Sequence, residues 1–142
     1  MTQNRRLKDV GLRVTSQRLK ILELMEKSQE RHLSAEMIYR ELNRGGEEMA
    51  LATVYRVLTQ FETSGLVIRH YFHTGESLFE LADMEHHDHL VCIYCGLVDE
   101  FTNDVIEAEQ EAIARANNFL ISDHSLTIYG ICSACQDKGH YL

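Results

Sequence analysis

The sequence predicts an α+β fold in two parts, a helical half closed by a β-hairpin and a smaller α/β half held together by metal. Three observations predict it. Helical apolar periodicity runs through the first half and gives way to two short alternating runs. Charge divides unevenly, with 12 Lys+Arg against 11 Asp+Glu in residues 1–81 and 2 against 11 in residues 82–142. Four cysteines fall into two C-x-x-C pairs, Cys92/Cys95 and Cys132/Cys135. Apolar residues make up 44% of the chain, enough for a packed core and against wholesale disorder.

The elements follow in order. Residues 2–10 read as a short helix stopped by Gly11. Thr15 or Ser16 caps a second helix that carries Leu19, Leu22 and Met25 on one face with Ile21 beside them. Ser34 caps a third, where Ala35, Ile38, Tyr39 and Leu42 follow the i, i+3, i+4, i+7 pattern up to Gly45-Gly46. A fourth runs from about Ala52 to Ser64, with Val54, Val57, Leu58 and Phe61 inward and Gly65 as its stop. Residues 66–72 and 77–81 then read as strands around the turn 73–76. The second, third and fourth helices followed by a two-stranded hairpin give the layout of a winged helix-turn-helix.

The fourth helix supports that layout. Its polar face carries Thr53, Arg56 and Gln60, with Tyr55 at the edge. Glu and Lys are the ordinary choice for a merely solvated face. Thr, Tyr, Arg and Gln reach base edges and phosphates. The opening 28 residues add seven basic side chains against three acidic ones, a modest basic patch, whereas the chain as a whole carries −8. DNA is therefore the expected partner of the first half only.

The boundary falls near Ala82-Asp83-Met84-Glu85, with domains expected at 1–82 and 87–142 and a hinge at 83–86. Beyond it, His89 to Ile93 and Leu97 to Phe101 read as a second hairpin turning at Cys95-Gly96. Asn103 caps a helix over about Asp104 to Ala116, and Phe119 to Ile131 reads as one or two strands. This half is small for independent stability. Structural zinc, on the order of 10 kcal/mol, and pairing with a second copy are expected to hold it as a dimerisation domain.

The stretch from His86 to Cys95 carries the chemistry. Two C-x-x-C pairs complete a tetrahedral S4 zinc site. If the run 86–89 is extended, His87 and His89 face one way and His86 and Asp88 the other, so one strand feeds two nitrogen/oxygen sites. No apolar run approaches the ~20 residues of a membrane span. No apolar signal core follows the N-terminal charges, so a cytoplasmic protein is expected, where paired cysteines hold metal rather than disulfides. A metal-dependent hydrolase built on His86, Asp88 and His89 is disfavoured, because no nucleophile or oxyanion motif accompanies them. A zinc-stapled interaction module without DNA binding is the other alternative.

With these segments in hand the sequence resembles the ferric uptake regulator (Fur) family of metal-responsive repressors. The resemblance is carried by Gly11-Leu12-Arg13-Val14-Thr15, by the segment Leu51 to Leu58, by Phe79-Glu80-Leu81 and by His86 to His89 followed by Cys92 and Cys95. Gly96 to Phe101 and Asp123-His124-Ser125-Leu126 continue it. Gln17 departs from the pattern, since many relatives have Pro there, and Arg13 stands where Lys is common.

The resemblance implies residue roles. Cys92, Cys95, Cys132 and Cys135 hold structural Zn2+. His32, Glu80, His87, His89 and Glu100 form the sensor, and His86, Asp88, Glu107 and His124 an additional site. Arg13, Thr53, Tyr55 and Arg56 contact DNA. His70, His73 and His140 match no ligand position and are expected as solvated side chains. The implied function is repression, with Fe2+ as co-repressor (Mn2+ or Zn2+ substituting) ordering a homodimer on AT-rich inverted-repeat operators of iron-uptake genes. No enzymatic activity is implied. Zinc- or peroxide-sensing is the alternative within the family, although peroxide sensors tend to have Asp where Glu100 stands. The resemblance leaves dimer against tetramer open.

Overall fold

The computed structural model describes residues 2–73, 75–82 and 85–142 and divides into two compact units, Met1–Met84 and Glu85–Leu142. Asp83 and Met84 of the expected hinge, and Thr74 of the expected turn, lie outside the described residues.

In the first unit, helix α1 (Gln3–Asp9) begins at Thr2, whose hydroxyl accepts from the Arg5 N–H. Helix α2 (Ser16–Lys27) is capped in the same way by Thr15 onto Arg18, and α3 (Ala35–Arg44) by Ser34 onto Met37. Each such cap satisfies a backbone donor the helix cannot, worth about 1 kcal/mol. Helix α4 (Leu51–Thr63) has Ala50 at its N-cap and no side-chain acceptor there. Its position is set by packing instead, through the buried stripe Val54, Val57, Leu58 and Phe61. Leu7, Ile21, Leu22, Ile38, Val54, Leu58, Phe61 and Phe79 have no exposed surface and knit the four helices to the hairpin.

The hairpin pairs β1 (Val67–Tyr71) with β2 (Ser77–Leu81), antiparallel, in the register Val67↔Leu81 to Tyr71↔Ser77. A further pairing had no signal in the sequence. Leu33 and Phe79 exchange both backbone hydrogen bonds, N···O 3.0 and 2.7 Å, as an isolated antiparallel bridge. That bridge fixes the chain just before α3 against β2, and so places His32 beside Glu80.

In the second unit, β3 (Asp88–Cys92) lies between β4 (Val98–Phe101) and β5 (Thr127–Gly130). The β3/β4 hairpin turns through Gly96, at φ +79, a left-handed conformation that favours glycine. The β3/β5 pair is parallel, with Cys92 opposite Gly130. Helix α5 (Asp104–Ala116) starts at Asn103, whose Oδ1 accepts from the N–H groups of Val105 and Ile106, and buries no residue.

Of the one or two strands expected from Phe119 to Ile131, one forms and it is shorter than that range. Only Thr127–Gly130 is paired, and residues 119–126 form no strand. Both edges of β3 are taken by β4 and β5, and the apolar run 119–121 pairs with no strand among the described residues. Phe119 and Leu120 stand 71% and 99% exposed. A short helix α6 (Ser133–Asp137), with Cys132 at its N-cap, carries the second C-x-x-C pair.

Candidate metal sites and nucleic-acid face

The parallel pairing of β3 and β5 brings the two C-x-x-C pairs to the same end of the sheet. Sulfur atoms of Cys92, Cys95, Cys132 and Cys135 all lie within 4.8 Å of one another, and none is in a disulfide. Cys95 Sγ and Cys132 Sγ are 3.7 Å apart. A tetrahedron with Zn–S of about 2.3 Å has an edge of about 3.8 Å, so the spacing fits zinc and is far too long for a sulfur–sulfur bond. The N–H of Cys132 donates to Cys92 Sγ at 3.4 Å. That bond, with a second from the Cys95 backbone, draws the Cys92 thiol down to about 6, whereas burial pushes Cys135 up to about 12. One sulfur is thus ready as thiolate at neutral pH.

A second cluster gathers His86, Glu107 and His124, with Asp88 beside His86. His86 Nε2 is 3.6 Å from Asp88 Oδ1 and 3.4 Å from Glu107 Oε1, and His124 Nε2 is 2.7 Å from Glu107 Oε2. The closeness of His124 and Glu107 is not a hydrogen bond in orientation, and His124 Nε2 and Glu107 Oε1 stay buried without one. Asp88 is completely buried, and neither of its carboxylate oxygens receives a hydrogen bond from the described residues. A buried acceptor-only group without donors is costly. Two imidazoles and one carboxylate, those of His86, His124 and Glu107, have ligand atoms within 4.8 Å of one another, a donor set that fits a divalent cation, and Asp88 adjoins it through His86.

The expected sensor residues are divided between the units. In the first, His32 Nε2 lies 3.3 Å from Glu80 Oε2, both side chains 3% exposed. Burial raises the Glu80 carboxyl, but hydrogen bonds from His32 and His70 outweigh it and hold it well below the usual carboxylate range. In the second, His87 Nε2 lies 3.5 Å from Glu100 Oε1, and His89 stands opposite Glu100 in the β3/β4 register. The rings of His87 and His89 are 4.8 Å apart. His87 Nδ1 is 2.8 Å from the Glu85 carbonyl, which can only accept. Nδ1 therefore donates to that carbonyl, which leaves Nε2 as the ring atom that faces Glu100, the orientation of a metal-ligating histidine.

Two histidines expected to be solvated are not. His70 Nε2 is 2.5 Å from Glu80 Oε1, and its ring stacks on Phe72 at 5.2 Å. His140 stacks on Tyr94 at 4.3 Å. His73 is exposed, as expected. The register signal for His70 was present in the sequence, since it lies two residues from the partner of Glu80, but reading it required the hairpin alignment.

On the first unit Arg13, Tyr55 and Arg56 are exposed and Thr53 half-buried. The Tyr55 hydroxyl donates to Glu36 Oε1 at 2.7 Å, which raises its pKa and fixes the ring. Gln60 is not open to a ligand as expected, for its Oε1 accepts from Arg18 at 3.0 Å. The basic patch is also thinner than its count. Arg5, Arg6, Lys20 and Lys27 pair with Asp9, Glu26, Glu47 and Glu23. Lys8, Arg13 and Arg56 are exposed and make no ion pair among the described residues. Among those residues no helix is long and apolar enough to cross a membrane.

Comparison with known proteins agrees with this layout. Residues 9–129 match the ferric uptake regulator family. The chain is 54% identical over 136 residues to the ferric uptake regulation protein of Legionella pneumophila, covering 96% of this chain and 100% of that protein. It is similar to the crystal structure of the Vibrio cholerae ferric uptake regulator (TM-score 0.86, 53% identity, 91% of this chain and 98% of the other). It is also similar to the Pseudomonas aeruginosa ferric uptake regulator with manganese (TM-score 0.82, 47% identity, 94% and 99%). The chain belongs to the ferric uptake regulator family and is a metal-responsive transcriptional regulator, not an enzyme.

Proposed function

We propose that the chain represses transcription as a cytoplasmic homodimer, with domains at 1–82 and 87–142 joined by a hinge at 83–86 and Fe2+ as the co-repressor. Cys92, Cys95, Cys132 and Cys135 hold structural Zn2+. His32 and Glu80 from the first domain and His87, His89 and Glu100 from the second share the regulatory ion. His86, Asp88, Glu107 and His124 form the additional site. A bound divalent ion supplies a fixed positive centre that imidazoles and carboxylates of both domains can share. The observation that carries this reading is the convergence of histidine and carboxylate atoms in each unit, His32 with Glu80, both buried, and His87 with Glu100, both half-buried.

The protein's own residues do the rest. By sharing one centre, the two ligand sets restrict the two domains to one relative orientation, a population shift with two named sites. In a dimer the paired α4 helices must then sit about 34 Å apart to enter successive major grooves. Arg13 and Arg56 meet phosphate or groove edges, and Thr53 and Tyr55 present hydroxyls toward the bases of an AT-rich inverted repeat. Dimer formation is supported by α5, which buries nothing in one chain, and by exposed Val105, Ile113, Phe119, Leu120 and Ile121. A second copy covers such a surface. Iron is favoured by the relatives' function, whereas the mixed nitrogen/oxygen donor set also admits Mn2+ and Zn2+.

The test is anaerobic binding to an inverted-repeat duplex at fixed salt, with zinc kept on the cysteines and Fe2+, Mn2+ or Zn2+ titrated in. Tight binding that needs metal and is lost in His32→Ala and in His89→Ala is expected. Equal affinity with and without metal would refute the switch.

A further inference from the structure

The first unit folds His70, which the family resemblance leaves without a role, directly against Glu80. The hairpin register explains how. Ile68 is the partner of Glu80, so His70, two residues along the same face, reaches that carboxylate on the diagonal. From the other side, the Leu33/Phe79 bridge delivers His32. The carboxylate is therefore gripped twice, with His70 Nε2 2.5 Å from Oε1 and His32 Nε2 3.3 Å from Oε2. The side chains of His32 and Glu80 are 3% exposed and that of His70 18%. Stacking on Phe72, with ring planes 4° apart, holds the His70 ring in place.

One carboxylate taken out of water needs one positive partner. Two imidazoles aimed at it exceed what charge balance requires. They do match the two-histidine, one-carboxylate face that binds Fe(II) with positions left open. The three donor atoms lie within 4.8 Å of one another, all on one unit.

We propose that the winged-helix unit by itself holds a three-ligand divalent-cation site made of His32, His70 and Glu80. The inference rests on the regulatory-ion reading in that it shares His32 and Glu80 with it. It adds His70 as a ligand and an order of events. The ion is captured on the DNA-binding side, and His87, His89 and Glu100 complete its coordination afterwards.

The experiment uses the full chain with zinc retained on its cysteines and with His87→Ala, His89→Ala and Glu100→Ala combined, which removes the donors of the other unit. Mn2+ is titrated into nitrogen-15-labelled protein, and paramagnetic broadening of the Leu33, Tyr71 and Phe79 amides is followed. Saturable broadening at these three amides is expected. Adding His70→Ala should weaken it at least about tenfold, the lower end of what losing even an outer partner costs. His70→Gln keeps a hydrogen-bond donor for Glu80 but is a poor ligand, and should weaken it as much, with the far-ultraviolet dichroism unchanged. Absence of local broadening in the triple variant, or His70→Gln binding like its parent, overturns the proposal. If the unsubstituted chain shows no broadening there either, the regulatory reading falls with it. If it does and the triple variant does not, only this inference is lost.

Discussion

Asp88 offers a prediction with an inverted sign. Its carboxylate is completely buried, and neither oxygen meets a donor among the described residues. An unsatisfied buried acceptor costs about 1–3 kcal/mol. Asp88→Asn keeps the shape, replaces one unmet acceptor with an N–H2 group, and has His86 Nε2, 3.6 Å from Asp88 Oδ1, as the acceptor at hand. With the additional site stripped of metal and zinc retained, the variant should therefore be more stable than the parent, by about 2 kcal/mol. For a unit near 60 residues that is an upward shift on the order of 10 °C in its thermal transition. With metal present the sign reverses. An ion at 100 times its Kd adds about 2.7 kcal/mol to the parent, and the variant, short of a ligand, forfeits most of that. Calorimetric scans of the second unit's transition, with and without Mn2+ or Zn2+, read both effects. A lower transition for Asp88→Asn in the stripped protein would refute the reasoning, because it would mean that Asp88 is satisfied without an ion.

Three further outcomes are expected. Stripping zinc, or Cys95→Ser, should unfold Glu85–Leu142, since the metal contributes on the order of 10 kcal/mol; circular dichroism and bound zinc should fall together. Arg56→Ala should weaken operator and random duplex alike and flatten the dependence of log K on log salt by about one unit, as loss of a phosphate contact does, whereas Tyr55→Ala should act mainly on the operator. Glu80 has a folded pKa held below its unfolded value of about 4.3, so its contribution is present above that pH and is lost as pH falls below it. Glu80→Gln should accordingly show a flatter acid limb in a urea-melt series across pH 5 to about 2, and lower stability near pH 7.

What was legible in the sequence was local. Thr15, Ser34 and Asn103 announce their helices because a cap needs only a side-chain oxygen three residues from a donor, and the buried stripe of α4 repeats at helical spacing. The alternation of His86 to His89 separates its two clusters for the same reason. What stayed hidden depends on partners far along the chain. Leu33 meets Phe79 across 46 positions, and no pattern around His32 points there. The parallel alignment of β5 with β3 is equally silent, and Phe119-Leu120-Ile121 carries the β-propensity of a strand yet pairs with none of the three strands of its sheet. The setting of His70 is hidden too, because its neighbour on the ladder, not its sequence context, decides its surroundings.

The parallel β3/β5 pair also has a consequence for how the second unit finds its alignment. Parallel neighbours have no tight turn to set their offset, and here they are separated by a hairpin and a helix. Cys92 ends one strand opposite Gly130, and Cys132 follows two residues later. A slip by one residue would carry Cys92 about 3.3 Å along its neighbour, while zinc tolerates only about 0.2 Å in its bond lengths. The thiolate cluster is thus a gauge as well as a staple. It closes for a single alignment of the two strands and leaves every shifted one without its metal.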